Sequence, residues 1–306
     1  METKDDGTRL EIFNTHRPRL FGLAYRMTGT RHDAEEILQD AYIRLHNADI
    51  EAINNPEAWL VTAVTRLSID RLRKASAKRE TYIGPWLPEP LVADSGNTPE
   101  ADVEFASSLS MAFLVMLERL SPQERAVLLL HDVFDLGYSE IASAMDKKEP
   151  AVRQMLHRAR ERVRTERPRF RPDREAHKAL VERFAIAAYT ADENLLLELF
   201  SSEIAVTSDG GGKITAARKV ITGLERVIRL FTLAVAGHAD HIDREIREIN
   251  GEPGVVEYYD GKVFAANTFK THDGKITAIY RVMNPDKLSA LEKAHRGVSS
   301  FNSTSV

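Results

Sequence analysis

The 306-residue sequence predicts a multi-domain chain, with two all-α helical domains followed by an α+β domain built on a bent antiparallel sheet. Three observations carry this expectation. Apolar residues recur at helical spacing from about residue 9 to residue 168. Alternating and β-branched runs separated by turn dipeptides then take over. Between two of the helical stretches lies "GPWLPEP", Gly84 to Pro90, with three prolines and a tryptophan.

The first helical domain is expected at residues 9–78. From Asp33 to Leu45, Ala34, Leu38, Ala41 and Leu45 recur on one helical face, while Asp33, Glu36 and Asp40 share another that reads as exposed. Asn55-Pro56 opens the next helix, whose body is "EAWLVTAVTRLSIDRLRK", because proline is tolerated in a first turn. Residues 79–104 are the linker. A plain tether would be rich in Gly, Ser and charge. Here Pro85, Pro88 and Pro90 stiffen the chain, and Trp86 and Leu87 offer apolar surface with nothing local to bury it, so a partner for the segment is expected.

The second helical domain is expected at residues 105–168, with a helix resuming at Asp102. Ser121-Pro122-Gln123-Glu124 has the form of a capped helix start. "LGYSEIASAM" and "DKKEPAVRQMLHRARERVR" read as helix, tight turn, helix. The third domain, residues 172–288, begins with a helical stretch broken near Ala191-Asp192. It continues with the strands "EIAVTSD", "KITAARK", "HIDREIREIN", "GVVEYYD", "KVFAANTFKT" and "KITAIYRV", interrupted by the helix "GLERVIRLFTLAVAG". Asn250-Gly251, Asp260-Gly261 and Asp273-Gly274 mark hairpin turns. Residues 289–306 read as a flexible tail.

Composition narrows the function. A hydrophobic fraction of 43% and a charged fraction of 29% suit a soluble globular protein. The absence of cysteine excludes disulfides, thiolate metal sites and cysteine nucleophiles. The start carries no signal-peptide core and no apolar run reaches the roughly 20 residues of a membrane helix, so a cytoplasmic chain without membrane contact is expected. The net charge of -4 conceals two basic clusters, one from Arg66 to Arg79 and one from Lys147 to Arg171. Such patches favour polyanions, although either alone also suits a solvated helix face.

The helix-turn-helix pattern gives the patches a use. Its second helix can enter a major groove, where Arg153, Gln154 and His157 share an outward face. Arg153 can pair with guanine and Gln154 with adenine, while Arg158, Arg160, Arg162 and Arg164 read as phosphate contacts. The alternative is an ordinary helical hairpin with a charged face.

Four ordered segments now carry a resemblance: "DAEEILQDAYIRLH", "WLVTAVTRLSIDRLRK", "LSPQERAVLLLHDVF" and "YSEIASAMDKKEPAVRQMLHRARERVR". Together they resemble an extracytoplasmic-function sigma factor over about residues 10 to 168. The resemblance implies that the first domain is sigma region 2 and the second is region 4. It implies core RNA polymerase and promoter DNA as partners, no cofactor and no catalysis. It puts core polymerase on Asp33, Glu36, Gln39 and Asp40. It puts the −10 element on the loop His46 to Asn55, with Asn54 and Asn55, and on Thr62, Thr65, Arg66, Arg71 and Arg73. The −35 element falls to Lys148, Arg153, Gln154, His157, Arg158 and Arg162. Two positions depart from the family, which usually has Asn where Arg66 stands and often a basic residue where Met155 stands.

Residues 174–283 resemble the SnoaL-like branch of the nuclear transport factor 2 superfamily, helices over a bent sheet forming a cone. Trp86-Leu87-Pro88-Glu89-Pro90, Asp209-Gly210-Gly211-Gly212-Lys213 and Asn284-Pro285-Asp286-Lys287-Leu288 look like the three signatures of sigma factors with a fused SnoaL-like extension. In that subgroup the extension is implied to regulate the sigma factor in cis, so the linker's partner would be the third domain. Glu89 is an expected partner for Lys213.

Two other functions compete. Cones of this kind also act as isomerases or hydrolases, and Asp240, His241, Asp243, Tyr258 and Tyr259 offer acid-base groups without a catalytic spacing. His238 and His241 lack a third metal ligand in view. A small-molecule-sensing regulator, with an unidentified ligand in the cone, is the other alternative.

Overall fold

The computed structural model describes residues 2–92, 110–164, 173–235 and 241–294, which divide into two units. One takes residues 2–80 and 113–164; the other takes residues 81–92, 110–112, 173–235 and 241–294. The helix expected from Asp102, the arginines from Arg167 to Arg171, His238, Asp240 and the tail beyond residue 294 lie outside the described residues.

The first unit opens with α1 (Glu2–Thr28), α2 (Arg31–His46) and α3 (Pro56–Glu80). Thr30 caps α2, its hydroxyl accepting the Asp33 amide at 3.2 Å. Asn55 starts α3 by accepting the Ala58 amide at 3.1 Å ahead of Pro56. Phe21, Leu38, Leu45, Leu60 and Val64 are buried among these helices. Next come α4 (Met111–Leu117), which belongs to this unit from Phe113 onward, α5 (Pro122–Asp132), α6 (Tyr138–Met145) and α7 (Glu149–Val163). The expected capping box of α5 is present, Ser121 and Glu124 each accepting from the other's amide. Asp146 ends α6 in the left-handed region at φ 52°, which makes the turn into α7 tight.

The two helical domains of the sequence reading pack on each other within this unit, and arginines join them through main-chain carbonyls. Arg125, 2% exposed, donates to the Met27 carbonyl at 2.6 Å and pairs with Glu118 at 2.7 Å. Arg19 donates to the Phe134 carbonyl at 2.9 Å, and Arg66 Nε to the Ala144 carbonyl at 2.9 Å.

The second unit holds α8 (Arg174–Thr190), α9 (Glu193–Leu199), β1 (Phe200–Asp209), β2 (Ile221–Thr222), α10 (Leu224–Val235), β3 (Ile242–Ile249), β4 (Glu252–Tyr259), β5 (Lys262–His272), β6 (Lys275–Val282) and α11 (Pro285–Ala294). The sheet runs β2-β1-β6-β5-β4-β3 and is antiparallel but for the parallel pair β1–β6. Three hairpin turns fall at the expected dipeptides, with φ of 53° and 76°, 48° and 75°, and 47° and 69°. Positive φ at both central residues matches the right-handed twist of the strands they join.

Two expectations are corrected. "KITAARK" is not a strand: Lys213 and Ile214 donate to the Gly210 carbonyl at 3.0 and 3.2 Å, so the chain folds back instead of pairing. Residue 289 does not begin a tail, because Asn284 caps α11 by accepting the Asp286 amide at 3.1 Å and the helix runs to Ala294. α8, α9 and α10 cover one face of the sheet, where the Phe184 ring sits 4.9 Å from Phe269 and 5.1 Å from Phe231, both edge-on. Among the described residues, no helix is long and apolar enough to cross a membrane.

Candidate promoter-reading surfaces and linker clasp

The acidic face of α2 is only partly free. Gln39 and Asp40 are exposed, but Asp33 accepts Arg71 Nε at 2.6 Å and Glu36 is hydrogen-bonded to the same guanidinium. Asp33 also accepts the Thr30 hydroxyl at 2.8 Å, so it belongs to the helix cap, which corrects its expected exposure. Arg71, assigned by sequence to DNA, is thus joined to two residues assigned to polymerase. Beside this face, Leu10, Phe13, Asn14, Gln39 and Tyr42 line a groove between α1 and α2 that spacing alone did not single out.

Along α3 the expected −10 residues separate into groups. Arg73 is exposed and Thr62 half-buried, its hydroxyl turned back to the Ala58 carbonyl at 2.8 Å. Thr65 is fully buried and cannot reach DNA in this conformation, a correction explained by its place on the core-facing stripe with Val61, Ser68 and Leu72. Arg66 is spent on the Ala144 carbonyl. Asn54 is exposed; Asn55 is exposed but occupied as the α3 cap.

The helix-turn-helix matches its reading more closely. Val152, Met155, Leu156, Ala159 and Val163 form the buried stripe of α7, leaving Lys148, Arg153, Gln154, His157, Arg158 and Arg162 exposed. Met155 therefore packs inside, which accounts for an apolar residue there. Arg153 is pre-oriented by the Tyr138 ring, 4.5 Å away, and by Glu149 at 3.3 Å. Arg162 and Arg158 approach Glu124 at 2.7 and 3.6 Å. Burial alone would raise the Glu124 carboxyl, but hydrogen bonds from Ser121 and these two cations hold it below the usual carboxylate range.

The three signature segments meet within the second unit. Asp209, at the end of β1, is fully buried and accepts the Tyr82 hydroxyl at 2.6 Å, the Leu87 amide at 2.9 Å, the Gly211 amide at 3.0 Å and the Lys287 ammonium at 2.7 Å. Lys287 also donates to the Leu87 carbonyl at 2.5 Å and lies 4.1 Å from the centre of the Trp86 ring. Leu87 is 1% exposed, and Pro88, Glu89 and Pro90 are buried after it. Burial and the Asp209 carboxylate both push the Tyr82 hydroxyl above the ordinary tyrosine range, so it stays a donor.

The glycines are shaped by the same contacts. A Cβ on Gly211, whose φ is 61°, would stand 2.3 Å from Asn284 Nδ2, and one on Gly212 would stand 2.9 Å from Ile83. Asn284 in turn donates to the Tyr82 hydroxyl at 3.0 Å. Pro285 and Asp286 are exposed and Leu288 is buried. The expected Glu89–Lys213 pair is not formed: Lys213 reaches Asp286 at 2.6 Å, and the cation at the linker is Lys287. Two further contacts had no sequence signal beyond a turn dipeptide, the Asn250 amide donating to the Leu91 carbonyl at 2.8 Å and the Leu91 amide to Asn250 Oδ1 at 3.3 Å.

The acid-base candidates disperse. Tyr258 donates to Glu245 at 2.8 Å on the sheet face away from the helices, while His241 pairs with Asp260 at 2.7 Å on the surface.

Comparison with known proteins gives these surfaces a family. Residues 12–78 match the model of sigma-70 region 2 and residues 110–163 that of sigma-70, region 4. The chain is 34% identical over 288 residues to the ECF RNA polymerase sigma factor SigJ of Mycobacterium tuberculosis, covering 90% of this chain and 92% of SigJ. It is 29% identical over 284 residues to the probable ECF RNA polymerase sigma factor SigI of the same species, covering 91% and 94%. The crystal structure of M. tuberculosis SigJ matches with a TM-score of 0.75 at 32% identity, covering 92% of this chain and 98% of that one. With such identity sustained along nearly the whole of both chains, the protein belongs to the extracytoplasmic-function RNA polymerase sigma factors, which are not enzymes.

Proposed function

We propose that this sigma factor acts in the cytoplasm, directing core RNA polymerase to promoters with a −10 and a −35 element, and that its third domain regulates it in cis by holding the linker. The domains are read as region 2 at residues 9–78, region 4 at 105–168 and the regulatory domain from 172 through α11. Core polymerase falls to Gln39 and Asp40 together with the adjoining groove, and to Asp33 and Glu36 once Arg71 leaves them. The −35 element falls to the exposed face of α7, and the −10 element to Asn54, Thr62 and Arg73, and to Arg66 and Arg71 once they leave the Ala144 carbonyl and the α2 carboxylates.

The observation that carries the regulatory reading is the buried Asp209 carboxylate, which gathers the linker, the glycine turn and Lys287 at one point. A linker stiffened by prolines loses little entropy on docking, so a few buried polar bonds suffice to hold it. The test is transcription in vitro with core polymerase, comparing the full chain with its Trp86→Ala and Lys287→Met variants. Both variants are expected to change promoter output several-fold in the same direction, a size typical of coupled sites, while core affinity stays constant. Unchanged output, or changes of opposite sign, would refute regulation through the clasp without touching the sigma assignment.

A further inference from the structure

We propose that the helix-covered face of the third domain's sheet holds a binding site for a small aromatic carboxylate, built on Arg244, Glu257, Asn267 and Arg281 beneath Phe264 and Tyr259. Strand register puts the polar four together. Arg244 pairs with Glu257 across β3–β4, and Asn267 with Arg281 across β5–β6. Asn267 also lies opposite Val255, a member of the apolar core under α8 to α10, so the set faces the helices and not the linker.

The cluster carries one positive charge in excess. Arg281 Nη2 reaches Glu257 at 2.6 Å and Nη1 reaches Asn267 Oδ1 at 3.0 Å, while Arg244 Nε reaches the other Glu257 oxygen at 3.4 Å. The side chains of Arg244, Glu257 and Arg281 are 7%, 3% and 10% exposed. Burial would raise the Glu257 carboxyl, but the two guanidiniums outweigh it and keep Glu257 ionised. One carboxylate therefore serves two guanidiniums, and Arg244 Nη1 is buried with no hydrogen-bond partner. A desolvated cationic N–H without an acceptor is costly, and an incoming carboxylate supplies both the charge and the lone pair.

The surroundings indicate what else the ligand bears. A bulge between β4 and β5 leaves Phe264 as an extra residue in its strand, with its ring 5.7 Å from the Arg281 guanidinium. Bulges commonly re-aim a side chain in this way. Tyr259 lies 6.3 Å from Phe264 and His241 5.7 Å from Tyr259, so aromatic rings lead from the buried cations to Tyr259, which is 37% exposed. Buried polar groups beneath an aromatic rim fit a flat apolar molecule with one anionic end.

The test is calorimetric titration of the full-length chain with sodium benzoate, benzamide and inorganic phosphate at constant ionic strength. Benzoate is expected to bind saturably at one site, and benzamide and phosphate at least tenfold more weakly. Arg244→Gln is expected to lose at least tenfold in benzoate affinity. Should that variant fail to fold, Tyr259→Ala, at an exposed rim position, is expected to lose several-fold. Absence of saturable benzoate binding, equal binding of benzamide or phosphate, or unchanged affinity in the folded variants would overturn the proposal. The readout is binding alone, so it is independent of promoter activity and of the clasp.

Discussion

Lys287 and Asp209 form an ion pair at 2.7 Å with side chains 9% and 0% exposed, and Leu87 of the linker bonds to both partners. Removing one member leaves the other charged and buried. Lys287→Met is expected to destabilise the second unit by about 3–5 kcal/mol. The double variant with Asp209→Asn should recover part of the loss, because no unpaired charge stays buried, although the one amide oxygen can keep the Tyr82 and Gly211 bonds or the Leu87 bond but not all three. Denaturation followed by Trp86 fluorescence in a Trp59→Phe background reads this directly, since those are the chain's two tryptophans. Equal midpoints for wild type and Lys287→Met would contradict it.

Arg66 joins α3 to the end of α6 through the Ala144 carbonyl. Arg66→Ala is expected to weaken the packing of the two helical domains by about 1–2 kcal/mol, the size of a charge-assisted bond in a part-exposed setting. The chain lacks cysteine, so spin labels at introduced cysteines replacing exposed Asp70 and Lys147 report the distance between the domains without interference. The distribution should broaden toward longer distances in the variant. A distribution identical to that of the wild type would show that the bond is incidental.

On α7, Arg153→Ala is expected to cost about 1–3 kcal/mol at one base pair of the −35 element and to relax choice there. Arg162→Ala should weaken all duplexes alike and lower the salt slope by about one. Because Arg162 also serves Glu124 at 2.7 Å, that variant should lose a little stability as well, with Arg158 still at hand. Duplex binding across a salt series separates the two effects. Similar loss of base discrimination in both variants would misplace the reading face.

His177 is buried at the start of α8, 2% exposed, with its ring 3.1 Å from the Thr271 hydroxyl. Burial lowers its pKa below the usual histidine value of 6.5, so the unfolded chain binds a proton the folded chain refuses. Its contribution to stability is complete above pH 6.5 and is lost as pH falls through the depressed folded value. The thermal midpoint should drop between pH 7.5 and pH 5.5, and His177→Phe should flatten that drop. An equal drop in the variant would assign the acid sensitivity elsewhere.

Local signals in the sequence survived into the structure wherever the physics is local. Ser121 with Glu124 caps α5, Asn55-Pro56 opens α3, and three dipeptides with positive φ close hairpins, because each motif satisfies its own backbone. Helical spacing grouped Asp33, Glu36 and Asp40 on a face, but spacing cannot see that Arg71, far along the chain, meets two of them. Thr65 reads as polar and is buried, since a β-branched side chain fills a core position as readily as it faces solvent. Lys287 reads as a surface residue and becomes an interior one only because the linker covers it, a fact set by residues two hundred positions away. The Arg244–Glu257–Arg281 cluster left no trace at all: its members are ordinary alternating charges until the register of β3 to β6 aligns them.

The bonds by which Arg19, Arg66 and Arg125 cross between the two helical domains end on main-chain carbonyls, those of Phe134, Ala144 and Met27. Every amino acid carries such a carbonyl, so no missense change at position 27, 134 or 144 deletes the acceptor. For these three bonds the genetics is therefore one-sided. A screen for substitutions that separate the two helical domains by removing a bonding partner should return codons 19, 66 and 125, whereas changes at the buried positions 27, 134 and 144 act through packing and leave the acceptor in place.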